Sequence, residues 1–71
     1  MTLTDDQFVR GLKISKLCTK KGWKHSTEML VASIIANANN KEMIISMIED
    51  VISKYSEDDA IVMFNKIRHH E

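Results

Sequence analysis

Few side chains in this 71-residue sequence are spaced to do chemistry. The three histidines, His25, His69 and His70, do not stand four residues apart, and adjacent histidines on a helix project to different sides, so no pair shares a zinc ion. Cys18 is the only cysteine and has no ligand partner at finger spacing. Glu57-Asp58-Asp59 lacks the glycine turn and alternating oxygens of a calcium loop, and a helix first turn accounts for it. No glycine-rich phosphate loop occurs, and no serine or cysteine sits in a nucleophile context. The residues therefore predict no metal, no cofactor and no enzymatic activity.

What remains is binding chemistry. Six of the ten basic residues lie between Arg10 and Lys24, and no acid interrupts the chain from Gln7 to Thr27. The net charge is zero, so the segment is one pole of a dipole, and a one-sided basic stretch on a small domain points to an anionic partner. At ~100° per residue, Arg10, Lys13, Lys16, Lys20 and Lys21 share an arc of about 140°. Such a stripe could track phosphates or an acidic protein face, although Leu17 projects into it. Trp23, between Lys21 and Lys24, could stack on a base or anchor an interface, or plug the core. The expected partner-binding set is Arg10, Lys13, Lys16, Lys20, Lys21, Trp23 and Lys24. Its partner is a protein, or alternatively a nucleic acid.

The elements that position this set are written in helix-capping code. Thr4-Asp5-Asp6-Gln7 forms a capping box with Leu3 and Phe8 at the staple positions, predicting a helix from there to about Thr19 with Gly22 as its left-handed stop. Ser26 is the candidate cap of a second helix, with Leu30, Val31, Ile34, Ile35 and Ala38 on one face. Asn37–Asn40 is a joint, and Asn39 with Glu42 reads as another capping box. Ile44, Met47, Ile48, Val51, Ile52 and Tyr55 then form the longest apolar stripe. After a joint at Tyr55–Ser56, the acids of 57–59 open a last helix that Lys66, Arg68, His69 and His70 close.

The joint at Asn37–Asn40 has the length of a helix-turn-helix turn, and Asn39, Asn40 and Lys41 could reach base edges. However, Glu42, Glu49 and Asp50 would repel phosphate, which argues against sequence reading by the third helix.

With no proline, two glycines and no apolar run of about 20 residues, the fold class is all-α: a small bundle of three to four short helices in a single domain, 1–71, with no membrane span. The lone thiol and the polar start suggest a reducing, cytoplasmic setting. Ile45, Ile61 and Val62 lie off the main helix faces, and a chain this short has little second layer to cover them. They are the expected contact of a homodimer.

From Leu30 to Ile67 the order of features resembles the small enterobacterial biofilm and acid-resistance regulators of the AriR type, also described as two-component connector proteins. The matching residues are Val31-Ala32-Ser33-Ile34-Ile35, the run Asn39-Asn40-Lys41 leading into Met43-Ile44-Ile45-Ser46-Met47-Ile48, and the acidic joint at Glu57-Asp58-Asp59. The joint is shorter than the family's and lacks its frequent glycine, and the basic segment has no counterpart. The resemblance implies an all-α dimer without enzymatic activity that acts on a regulatory protein or on DNA. The function expected is that of a small non-enzymatic regulatory or adaptor protein. A co-chaperone lending the third helix's stripe to a partner is a further alternative.

Overall fold

The structure is a computed structural model that describes residues 3–70. The His70 side chain, expected at the surface, lies outside the described residues. The chain forms α1 (Asp5–Lys20), α2 (His25–Asn37), α3 (Lys41–Lys54) and α4 (Glu57–His70), with no strand among the described residues. α3 is central and packs against the other three helices, most extensively α1, whereas α1 and α2 meet only lightly.

α1 begins and ends as its local sequence dictates. Thr4 Oγ1 accepts from the Gln7 backbone N–H, and Gln7 Oε1 accepts from that of Thr4, both at 3.1 Å. At the other end Gly22 has φ +74°; its N–H donates to Thr19 O and that of Trp23 donates to Cys18 O, each at 3.0 Å. This paired closure needs the left-handed residue that glycine supplies without strain.

α2 corrects the expected boundary. It begins at His25 with Lys24 in the cap position, and no side chain of its own segment caps it, so Ser26 is not its N-cap. The cap comes from the start of α4, where Glu57 Oε2 accepts from the Lys24 backbone N–H and from Thr27 Oγ1, both at 2.7 Å. The other end of α2 is also closed from outside. Lys41 is only 7% exposed, and its Nζ donates to the carbonyls of Ile35, Ala36 and Ala38 at 3.1, 3.0 and 3.0 Å. A buried ammonium is tolerable only when its donors are paired, and three carbonyls at the end of α2 do that here.

The second capping box, expected at Asn39 and Glu42, is replaced by a cap one residue later. Asn40 is the N-cap of α3, its Oδ1 accepting from Met43 N–H at 3.1 Å, and Glu42 turns to Arg10 instead. Ser56 precedes α4 as expected, its carbonyl accepting from Ala60 N–H at 2.8 Å.

The core joins Ile14 and Cys18 to Val31, Ile34 and Ile35, to Ile44, Ile45, Ile48, Val51 and Ile52, and to Ala60, Phe64 and Ile67. Ile45 is 0% exposed within the single chain, which removes it from the expected subunit contact. Packing on three sides widens the buried arc of α3 and turns it toward Ile45, leaving Met47 and Tyr55 exposed. Ile61 is half-buried and Val62 is exposed, so the three residues do not compose one free surface.

Candidate interaction surface

Taking Ile14 as the inward direction and ~100° per residue, α1 divides into three sectors. Ile14 and Cys18 face the core. One flank carries Lys13, Lys16 and Lys20, and the other carries Phe8 and Leu12 beside α2.

The basic set splits. The Arg10 guanidinium reaches across to α3, pairing with Glu42, with Glu49 Oε1 at 2.6 Å and with Ser46 Oγ at 3.1 Å. The bond to Glu49 is the main influence that holds its pKa above the ordinary arginine value. Lys21 donates to the carbonyls of Ile52 and Tyr55 at the end of α3, and its ammonium sits 4.9 Å from the Trp23 ring centroid. Both residues hold the fold and are corrections to a set expected to be free for a partner.

Trp23 is half-buried against the core, edge-on to Phe64 with centroids 6.4 Å apart and planes at 63°. It acts as the plug, not as an open stacking platform. Lys24 is exposed, and its backbone belongs to the Glu57 cap. Lys13, Lys16 and Lys20 remain, all exposed, and among the described residues none has an acidic group within ion-pair distance.

The opposite flank borders a groove of about 280 Å³ between α1 and α2. Its floor is Ile14, Cys18, Val31 and Ile35, and its walls include Phe8, Leu12 and Met29, which are 56%, 48% and 57% exposed. Burial, reinforced by the negative charges of Glu28 and Glu57, pushes the Cys18 thiol up from its ordinary pKa, which keeps it protonated and unreactive. At one end Ser15 Oγ donates to Glu28 Oε1, and His25 Nδ1 lies 3.6 Å from Glu28 Oε2. The carboxylate stands between the hydroxyl and the imidazole, so the trio staples α1 to α2 and the histidine is not aimed at the serine. Among the described residues no three His, Cys, Asp or Glu side chains converge as a metal site.

Sequence reasoning missed this apolar flank, although Phe8 and Leu12 stand four residues apart with Val9 beside them. Asn40 and Lys41, weighed from the sequence as base readers and set aside, both close helix ends.

Fold and surface together define a small four-helix domain whose first helix presents a lysine flank and an apolar flank. The chain matches no protein-family model, no curated protein and no solved structure. None of its described helices is long and apolar enough to cross a membrane.

Proposed function

We propose that the protein is a small cytoplasmic regulatory adaptor. It carries out no catalysis and binds an anionic macromolecular partner through Lys13, Lys16 and Lys20, with Lys24 at the edge of the surface. One observation carries the reading: these lysines are exposed and, among the described residues, lack acidic partners, while Arg10, Lys21, Lys41 and Lys54 are each paired within the chain. Unpaired like charges on one helix face repel each other, so they add little to folding and much to the field an approaching anion meets. Loss of Arg10 and Lys21 from the set centres the surface on Lys13, Lys16 and Lys20 of α1.

A protein partner is favoured over nucleic acid. Trp23 is packed on Phe64, and Asn40 and Lys41 serve as caps, which withdraws the groups best suited to stack on or read bases. Ile44, Ile48, Val51 and Ile52 of the α3 stripe are covered by the chain's own helices, which leaves the co-chaperone alternative only Met47 and Tyr55. The reading includes a homodimer and agrees with what the resemblance to AriR-type regulators implies.

The test is Lys13→Gln with Lys20→Gln. The double variant should unfold at the parent's midpoint or slightly above, and the partners cross-linked to the parent in native lysate should be lost. Binding to a short DNA duplex should be weak and should collapse between about 50 and 200 mM salt. Undiminished partner capture by the double variant would reduce the lysine flank to a solvated face.

A further inference from the structure

We propose that the outward face of α1 is the contact between two copies of this chain, the two helices packing antiparallel about a two-fold axis that passes between Arg10 and Gly11. The inference takes up the homodimer of the preceding reading and gives it a surface different from the one expected at Ile45, Ile61 and Val62.

The face is defined by Asp5, Phe8, Val9, Leu12 and Lys16, which at ~100° per residue fall within about 100° of arc opposite Ile14 and Cys18. Its middle is apolar and open: Phe8 is 56% exposed, and Val9 and Leu12 are 48% exposed. Met29, 57% exposed, extends the patch across the groove onto α2. Single exposed apolar residues need no explanation, but Phe8, Leu12 and Met29 around one groove, with Val9 beside them on α1, form a patch of the kind that marks an interaction site.

The charges select the occupant. Asp5 stands one turn before the apolar stretch and Lys16 one turn after it, both exposed. They lie about 16 Å apart along the helix, symmetric about the gap between Arg10 and Gly11. An antiparallel second copy therefore sets Asp5 against Lys16 of its partner at both ends of the contact, with Val9 opposite Leu12 at the centre. Parallel packing would set like charges side by side. This face is complementary to itself, as an isologous two-fold interface requires. The antiparallel arrangement also opposes the two helix dipoles.

One geometric result links the interface to the lysine flank. A two-fold axis perpendicular to both helices keeps each side of the pair on its own side. Lys13 and Lys20 of both copies then lie on one side of the contact, with Asp6 of each copy among them, while Lys16 passes from the surface offered to an anionic partner into the pairing with Asp5.

The experiment uses the full chain and measures mass by sedimentation equilibrium from micromolar to millimolar concentration. The parent should approach twice its 8.2 kDa. Leu12→Lys, at a site already half exposed, should remain helical by circular dichroism and become monomeric. Asp5→Lys and Lys16→Asp each create two like-charge contacts in a homodimer and should weaken self-association at least about tenfold. Mixed one to one, these two variants should form a heterodimer of parent-like affinity, because each end of the contact then pairs opposite charges. A parent that stays monomeric to millimolar concentration overturns the homodimer reading itself. A parent dimer that survives Leu12→Lys, or charge variants that fail to rescue each other on mixing, overturns this surface and leaves the homodimer to be placed elsewhere.

Discussion

Lys41→Met removes the ammonium that closes α2 while keeping most of the buried stem. The side chain of Lys41 donates three hydrogen bonds of 3.0–3.1 Å to the carbonyls of Ile35, Ala36 and Ala38. A hydrogen bond involving a charged group contributes about 1.5–3 kcal/mol. Three bonds sharing one charge do not add in full, and removing the ammonium also relieves its own desolvation. A net loss of about 2–4 kcal/mol follows, set against a total of roughly 4–10 kcal/mol for a domain of this size. At about 4–8 °C per kcal/mol, the unfolding midpoint should fall by roughly 10–25 °C. Thermal melts followed by circular dichroism at 222 nm, with urea titration as the second measure, would record it. Lys41→Arg should fall between the two, because a planar fork cannot satisfy three carbonyls that converge on one point. If Lys41→Met melts within about 3 °C of the parent, water satisfies those carbonyls and Lys41 is a surface residue after all.

Two further outcomes test the architecture. Ile45→Asp places a charge at a position 0% exposed inside one chain and should unfold the protein, whereas Val62→Asp, at a site 54% exposed, should shift stability by less than about 0.5 kcal/mol; a folded monomeric Ile45→Asp would return Ile45 to the subunit contact. The hydrogen bond from Thr27, then that from the Lys24 backbone, holds the Glu57 carboxyl below the ordinary glutamate pKa; its stabilisation is therefore present above that ordinary value and disappears as pH falls through the depressed one. The midpoint gap between parent and Glu57→Gln should accordingly be widest near neutrality and close in acid, and a gap constant from pH 7 down to about 3 would refute the cap.

Legibility in the sequence followed the range of each interaction. Thr4 and Gln7 are three residues apart, and Gly22 acts on its own φ, so the start and stop of α1 could be read directly. The start of α2 could not, because its cap comes from a residue 33 positions from Lys24, and the local serine was the only visible substitute. The basic segment was misread for the same reason. Nothing local ties Arg10 to Glu42 and Glu49, which are more than 30 residues away in the chain and lie beside it only once α1 packs on α3. Ile45 was placed outside because a stripe assumes one buried face, and α3 has neighbours on three sides. The lysine flank of α1 was visible in the sequence. Its apolar flank was overlooked because Phe8 was assigned to a local staple and Val9 and Leu12 to nothing.

α2 carries no side-chain cap of its own at its N-terminus and leans on Lys41 at its C-terminus, and that has a kinetic consequence. Its N-terminal clasp is on α4 and its C-terminal clasp on α3, so residues 25–37 cannot be held at both ends until position 57 has left the ribosome and docked. α1, with a self-contained start and stop, can flicker into helix much earlier. Substitutions in the Thr4–Gln7 box should therefore alter the folding rate, while loss of either clasp on α2 should chiefly hasten unfolding.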